Sequence, residues 1–228
     1  MLVSVINNAG YIEHALIELC PMDSFMKQMD INAIGLVRVT KAFMPLLRRS
    51  KSVGSRIVLV GSAAGRFTAT GFTAYSMSKH AVRSFADGLR RELLANPDWR
   101  ISVSLLEPLC FATNMCNKQT MMANMELISQ QSPYTLLHDY SHYLASFTII
   151  LNLCLSLVNP DINQVVDTMV HIATTKDDVE PFYRIGKPLE KLFIYANELL
   201  PESIVDYITR NEIFIWNLLI FFRKTFNI

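Results

Sequence analysis

The sequence predicts an α/β protein built on a parallel sheet, and three short runs carry this prediction. Leu2–Ile6, Arg56–Val60 and Ile101–Leu106 are rich in aliphatic and β-branched residues, and each run stops at residues typical of turns. Longer stretches with helical periodicity separate them. Strands that alternate with helices form βαβ units, and such units make a parallel sheet.

Two helices of the first half are defined by spacing and by residues that start or stop helices. Asp23–Arg49 has a helical pattern, with its N-cap expected at Asp23 or Ser24, and Pro45 should kink or end it. Thr73–Ala95 is the clearest helix, since apolar residues recur at every fourth position and an Asn-Pro pair follows.

The second half of the chain has a weaker pattern. Cys110–Pro133 is rich in Met, Asn and Gln, which predicts a mobile flap rather than a core element. Two further helices are expected over roughly Tyr140–Val158 and Ile162–Thr174, and a short strand at Tyr183–Gly186. The tail Leu189–Ile228 is apolar and helical in pattern.

Length and composition bound the domain count and the function class. The 228 residues are 51% hydrophobic and 18% charged, so the chain can bury a core and is expected to form one domain. We divide that domain into a catalytic sheet with its helices (1–109), a substrate flap with helices (110–188) and an apolar tail (189–228). The net charge of +1 argues against a nucleic-acid binder with a basic surface. Four cysteines without CxxC pairing and scattered histidines predict reduced thiols and no metal site.

The apolar runs are too short to cross a membrane as helices. Phe147–Val158 and Ile213–Phe222 are the longest, and both fall short of the roughly 20 residues that a spanning helix needs. The first residues lack the basic and apolar regions of a secretory signal. The second run, which Arg223 and Lys224 follow, fits a helix in a membrane interface as well as a core helix.

A tyrosine, a lysine and a serine suggest proton-transfer chemistry. Tyr75 and Lys79 lie four residues apart, which puts both on one helix face. A phenol has an ordinary pKa of about 10, and a neighbouring ammonium lowers it by stabilising the phenolate. Ser62 directly follows a predicted strand, in the crevice where parallel sheets bind ligands. Taken singly, the pair also fits an exposed helix face, and the serine fits a turn cap.

Taken together, these residues resemble the short-chain dehydrogenase/reductase family. The resemblance rests on motifs in the family's order and spacing: Asn7-Asn8-Ala9-Gly10, Asn32, Gly61-Ser62 and Tyr75-Ser76-Met77-Ser78-Lys79. It implies a Rossmann-type, doubly wound parallel sheet that binds NAD or NADP, whose nicotinamide carries the hydride.

The resemblance also implies a role for each motif residue. Tyr75 would donate or accept the proton, and Ser62 would orient the reacting oxygen. Lys79 would hold the nicotinamide ribose and lower the pKa of Tyr75. Asn32, which is expected to be buried because apolar residues flank it, would bind a water that relays protons. The implied cofactor contacts are Asn8, Ala9, Gly10, Tyr75, Lys79, Pro108 and Thr113, and the implied substrate contacts are Ser62 and Phe111.

A narrower resemblance, to the retinol and 17β-hydroxysteroid dehydrogenase branch, covers most of the chain. It is carried by Ser84–Leu93, Val103–Pro108, Val165–His171 and Leu200–Ile208. It implies an apolar alcohol or ketone as substrate, attachment to the endoplasmic reticulum membrane, and a homodimer. The branch includes a mitochondrial hydroxybutyrate dehydrogenase, so a hydroxybutyrate-type activity and a mitochondrial or cytoplasmic location are the alternatives.

The sequence departs from the family pattern in three places, and the first departure motivates a rival hypothesis. The 228 residues contain no GxxxGxG or GxGxxG for the pyrophosphate, so we expect an N-terminal truncation that leaves Leu2–Ile6 as an exposed sheet edge. Leu109 stands where the family prefers Gly and is expected to crowd the nicotinamide face. Gly186-Lys187-Pro188 replaces the branch's Gly-Trp-Asp. The rival is a non-catalytic remnant that binds a membrane or an intact paralogue.

Overall fold

Four parallel strands form the centre of the computed structural model, which describes residues 3–50, 54–141, 144, 155 and 158–210. Neighbouring strands pair in the order β1–β2–β3–β4. They are β1 (Ser4–Asn7), β2 (Ser55–Val60), β3 (Ile101–Pro108) and β4 (Phe182–Ile185). The α/β class and the parallel sheet are therefore confirmed.

Eight α-helices are described. They are α1 (Met22–Met29), α2 (Gly35–Arg49), α3 (Thr73–Leu94), α4 (Lys118–Gln131), α5 (Tyr134–Asp139), α6 (Asn163–Thr174), α7 (Pro188–Leu199) and α8 (Glu202–Arg210). The helices expected over Thr73–Ala95 and Ile162–Thr174 are confirmed as α3 and α6. The helix expected over Tyr140–Val158 and the tail after Arg210 lie largely outside the described residues.

Helices pack on both faces of the sheet because its strands are apolar on both sides. Ile57 and Leu59 of β2 join the core cluster that α2 and α3 cover, together with Leu105 of β3. Val58, between them in sequence, points to the opposite face and packs in a second cluster with Ile172 of α6. Successive side chains of a strand alternate between faces, so this division follows directly from the pleat. The doubly wound arrangement is confirmed.

β1 forms an edge of the described sheet. It pairs with β2 on one side, and the side chains of Val3 and Ile6 are exposed. The prediction that Leu2–Ile6 forms an exposed edge is thus confirmed for its described residues. Among the helices that the structure describes, none is long and apolar enough to cross a membrane.

The helical stretch over Asp23–Arg49 differs from its prediction in two ways. Pro21 caps it without a side-chain bond, and Ser24 instead hydrogen-bonds to Glu13, so neither expected N-cap residue acts as one. Pro45 does not end α2, which runs on to Arg49. The proline lacks the N–H that a helix interior uses, but it lies at an exposed position of α2, where water can reach the carbonyl that the missing N–H leaves unpaired.

The predicted flap is also partly wrong. Residues 118–131 of the Cys110–Pro133 segment form α4, with Met121 and Ile128 buried. Ile128 joins a core cluster with Leu16 and Leu19. Met, Gln and Glu are strong helix formers even where apolar periodicity is weak, and this composition favoured a helix that the pattern did not reveal.

Candidate active site

The candidate site lies where the carboxyl ends of β1, β2 and β3 meet the first turns of α3. The turn after β1 begins with Asn7, which is buried and donates from Nδ2 to Thr40 Oγ1 at 3.2 Å. This bond fixes the turn to α2. Asn8, Ala9 and Gly10 follow and are exposed, so the turn presents its backbone to the open end of the sheet.

Tyr75 lies in the first turn of α3 and is 8% exposed. Burial raises the pKa of Tyr75 to about 12, a hydrogen bond with the Ser62 side chain acts in the opposite direction, and the thiols of Cys116 and Cys110 raise it further. The net shift is thus upward, and the expected lowering of this pKa by Lys79 remains a prediction. The shift is upward because removal of the phenol from water outweighs the favourable contacts of the phenolate.

Lys79 sits one helical turn after Tyr75 and is 3% exposed. Its Nζ donates to the carbonyl of Val60, the last residue of β2, at 3.0 Å, and lies 5.6 Å from the centre of the Tyr75 ring. Burial lowers the pKa of Lys79 to about 8. The ammonium is consequently held between strand and helix and stays mostly protonated at neutral pH.

Asn32 occupies a short π-helical segment, Asp30–Ile34, between α1 and α2, and its predicted burial is confirmed at 1% exposure. Its Nδ2 donates to the Tyr11 carbonyl at 2.8 Å and to Ser78 Oγ at 2.9 Å, while Oδ1 accepts from the Tyr11 amide at 2.7 Å. Both amide donors are used, so Asn32 can meet a water only through an acceptor oxygen.

Ser78 extends this chain of bonds to α3. Its Oγ donates to the carbonyl of Tyr75 at 2.6 Å while it accepts from Asn32. Asn32 therefore joins the turn after β1, through Tyr11, to the residue pair on α3. Sequence reasoning missed the roles of Ser78 and Tyr11, because their connection depends on the packing of the Asp30–Ile34 segment against α3.

Gly10 lies beside both polar groups. A Cβ added there would come 3.7 Å from Lys79 Nζ and 3.8 Å from Asn32 Oδ1, with Met115 Cε at 3.5 Å. These are ordinary van der Waals distances, so a larger side chain would fill the space next to the ammonium. The glycine keeps that space open.

Ser62 caps a turn, one of the two roles that its position suggested, whereas its orientation of a substrate oxygen remains a prediction. Its Oγ accepts from the Ala64 amide at 3.1 Å and thereby caps a 3₁₀ turn, and its side chain also hydrogen-bonds to Tyr75. Gly65 closes this turn directly against α3, because a Cβ there would lie only 2.8 Å from the carbonyl oxygen of Lys79. A side chain at position 65 would push the turn away from the helix.

Four charged residues below the site were not anticipated from the sequence. Arg66 Nε meets Glu107 Oε1 at 2.5 Å, and Arg184 Nη2 lies 3.4 Å from Glu107 Oε2. Both arginines also contact Glu198 of α7, at 3.0 and 3.2 Å. Because Arg66 directly follows Gly65, this network anchors the turn of Ser62 to β3, β4 and α7.

The residues of the loop after β3 differ in burial and packing from Tyr75 and Lys79 on α3. Pro108 is half-buried at the strand end, and Thr113 is exposed. The Leu109 side chain packs against Gly186, where an added Cβ would lie 2.8 Å from Leu109 Cδ1. Phe111 is buried in the second core cluster, which gives its side chain a packing role. The contacts expected of Thr113 and Phe111 with cofactor and substrate remain predictions.

Comparison with known proteins agrees with this geometry. The sequence profile of a family described as short chain dehydrogenase matches residues 2–124, more than half of the chain. Retinol dehydrogenase 16 of Rattus norvegicus is 31% identical over 218 residues, which cover 93% of this chain and 63% of that protein. Estradiol 17-beta-dehydrogenase 2 of Mus musculus is 32% identical over 211 residues, which cover 91% of this chain and 53% of that protein. The chain thus spans between about half and two thirds of the length of these relatives.

Solved structures support the fold alone. A short-chain dehydrogenase from Streptomyces avermitilis superposes with a TM-score of 0.59 at 19% identity, over 92% of this chain and 68% of that one. A short chain dehydrogenase from Burkholderia cenocepacia, determined in complex with NADP, gives a TM-score of 0.56 at 17% identity, over 87% of this chain and 69% of that one.

Proposed function

Because the chain belongs to the short-chain dehydrogenase family, we propose that the protein interconverts an apolar alcohol and its carbonyl compound with NAD or NADP as hydride carrier. One observation carries this proposal. Tyr75, Ser62 and Lys79 meet at the carboxyl edge of a parallel sheet, and Asn32 is joined through hydrogen bonds to the same helix.

The residues present fit the nicotinamide end of such a cofactor. Gly10 leaves space beside the Lys79 ammonium and the Asn32 carbonyl, and the exposed turn Asn8–Gly10 borders it. Lys79, Tyr75 and this turn would hold the ribose and the ring. The glycine-rich pyrophosphate turn is not among the 228 residues, so the fit concerns this end only. When bound, the nicotinamide supplies or accepts the hydride.

Proton transfer is the task of the chain's own residues. Ser62 would donate a hydrogen bond to the substrate oxygen, and Tyr75 Oη would exchange a proton with it. With a pKa of about 12, Tyr75 is protonated at neutral pH, the state that donates a proton to a carbonyl. Oxidation of an alcohol needs the phenolate, and the Lys79 ammonium is the positive charge that the chain supplies beside it.

A retinoid or steroid is the substrate class that we favour. The two relatives described above act, by their names, on retinol and estradiol. Apolar side chains such as Met115 border the open end of the sheet, and methionine adapts to irregular apolar ligands. A hydroxybutyrate-type substrate would need a charged partner for its carboxylate, and it is the second candidate.

A substrate panel tests this proposal. The purified protein is assayed with retinol, estradiol and 3-hydroxybutyrate, each with NAD⁺ and with NADP⁺, and product is identified by mass. We expect turnover of retinol or estradiol with at least one cofactor. Preference for 3-hydroxybutyrate would replace the substrate class. If no substrate turns over while the protein is folded, the non-catalytic remnant becomes the better account.

We also propose that the protein associates with the endoplasmic reticulum membrane. The support is a set of exposed apolar side chains on α7 and α8: Leu189, Leu192, Tyr195, Leu199, Ile204 and Tyr207. Such a face fits the headgroup region of a bilayer. Flotation with liposomes tests it, and protein that stays at the bottom of the gradient would contradict it.

We also propose a homodimer that forms through the exposed apolar residues of α2, which are Val39, Phe43 and Leu46. Sedimentation of the purified protein tests it.

A further inference from the structure

The loop after β3 brings together two cysteines that lie six positions apart in sequence. Cys110 Sγ and Cys116 Sγ are 3.5 Å from each other, in hydrogen-bond contact. The 3₁₀ turn Asn114–Cys116 folds the loop back, and the Cys116 amide donates to the Thr113 carbonyl at 3.0 Å. Sulfur atoms in a disulfide are about 2.0 Å apart, so these thiols lack roughly 1.5 Å to bonding distance.

One of the two thiols is anchored, and the other sits on the surface turn. The Cys110 carbonyl accepts from the Asn159 amide at 2.9 Å, the Ala112 amide donates to the Asn159 carbonyl at 2.9 Å, and Phe111 between them is buried. Cys116 ends a turn whose neighbours are exposed, and it is itself half-buried. We therefore expect closure to shift the turn that carries Cys116 more than the backbone at Cys110.

The surroundings favour Cys116 as the nucleophile. A hydrogen bond from the Cys110 thiol lowers the pKa of Cys116, and bonds with Thr113 and the Phe111 backbone add to this, while burial opposes it. The thiolate, rather than the thiol, attacks disulfides. A resolving thiol at 3.5 Å is then in place for the second step.

We propose that Cys110 and Cys116 form a dithiol–disulfide pair, a redox modification site at the border of the active site. The Cys116 thiolate attacks one sulfur of a small disulfide such as oxidised glutathione, breaks its S–S bond and releases one thiolate. Cys110 loses its proton to solvent, attacks Cys116 Sγ and releases the second thiolate. The protein pair loses two electrons, and the small disulfide gains them as it becomes two thiols.

Oxidation of this pair would change the site beside it. Negative charge on either thiol raises the pKa of Tyr75, and a disulfide carries no such charge. The same loop holds Thr113 and Met115, whose Cε would lie 3.5 Å from a Cβ at Gly10. The consequence for turnover rests on the proposed function, whereas formation of the disulfide does not.

Both cysteines fall in one tryptic peptide, residues 101–118, between Arg100 and Lys118. The full chain is equilibrated in glutathione buffers with a series of oxidised-to-reduced ratios. It is then alkylated and digested with trypsin, and the peptide masses are measured by mass spectrometry. We expect the peptide to become about 2 Da lighter and to stop taking up alkylating reagent, reversibly with dithiothreitol. From the buffer ratio at half oxidation we obtain the effective concentration of one thiol toward the other. It should be at least about tenfold higher in the folded protein than in urea.

A matched variant and three outcomes decide the proposal. Cys110→Ser should leave a stable glutathione adduct on Cys116, because no resolving thiol remains. Three outcomes would each overturn the proposal. The peptide could keep two alkylatable thiols at every buffer ratio, or one of its cysteines could form a disulfide with Cys20 or Cys154 instead. The third outcome is an equal effective concentration in folded and unfolded protein. If the disulfide forms but neither redox state turns over any substrate, the pair stands and the proposed function fails.

Discussion

The two halves of the site's rim are held in different ways. On one side, Tyr75, Lys79 and Asn32 are buried. Hydrogen bonds join Lys79 to the end of β2, and they join Asn32 to Ser78 of α3 and to the backbone that follows β1. On the other side, the loop from Leu109 to Cys116 exposes Thr113 and holds two half-buried thiols. Rigid elements thus carry the groups that we propose for proton transfer, which needs fixed geometry, and the loop carries groups that can adjust.

This contrast assigns different consequences to substitutions on the two sides. A change on the rigid side should alter the chemical step. A change in the loop should alter binding, because its residues border the open space without being part of the hydrogen-bond chain from Asn32 to Tyr75.

The largest effect is expected for Tyr75→Phe. The substitution keeps the buried ring and removes the hydroxyl that we propose as the proton-exchanging group, so we expect turnover to fall at least about a hundredfold. Thr113→Val is the matched change in the loop, and it should raise KM while kcat changes little. Steady-state kinetics of both variants measure this, and equal losses of kcat would erase the distinction between the two sides.

The next effect concerns the space at Gly10. A valine there would bring methyl groups against Lys79 Nζ and Asn32 Oδ1, so we expect about tenfold weaker cofactor binding by fluorescence titration of the reduced nicotinamide. Alanine is the control, because its Cβ meets these atoms at ordinary contact distances. An unchanged cofactor affinity in Gly10→Val would mean that the nicotinamide ring does not bind in the space beside Gly10.

A smaller effect on activity is expected for Glu107→Gln, below both sides of the rim. The change leaves Arg66 and Arg184 with Glu198 as their remaining carboxylate. We expect about 2–3 kcal/mol lower stability in urea titration and a few-fold loss of kcat, since the turn of Ser62 loses its anchor. Arg38→Gln, which breaks the exposed bridge to Asp30, is the control and should cost less than about 1 kcal/mol.

The smallest effect on activity is expected for His14, which packs against Phe72 and is not part of the hydrogen-bond chain from Asn32 to Tyr75. Burial lowers the pKa of His14 to about 4 from an unfolded value of 6.5, so the unfolded chain binds the proton first as the pH falls. Stability should drop by up to about 3 kcal/mol between pH 6.5 and 4, and His14→Leu should flatten that slope. Urea midpoints across this range measure it, and equal slopes would contradict it.

The rigid side was largely predictable from sequence because its determinants are local. Four-residue spacing placed Tyr75 and Lys79 on one face, and a strand end placed Ser62. The pKa of Tyr75 was not predictable, because it depends on how much water the fold removes. Likewise, Glu107 and Glu198 meet the same two arginines only once β3, β4 and α7 are assembled.

The fold shows the same division. Apolar runs predicted the strands and their parallel arrangement, since a buried strand is recognisable from a few consecutive residues. The loop side was harder. The weak periodicity before Pro133 concealed α4, and the approach of Cys110 to Cys116 depends on a 3₁₀ turn that no spacing rule indicates.

Transfer of isotope from a labelled cofactor tests the central claim most directly. The protein is incubated with reduced nicotinamide cofactor that carries deuterium at the transferable C4 position, together with retinal or estrone, and the alcohol is analysed by mass. The account predicts one deuterium at the carbinol carbon with the unaltered protein and a rate at least about a hundredfold lower with Tyr75→Phe. Alcohol that forms without deuterium, or at the same rate in the variant, would contradict it.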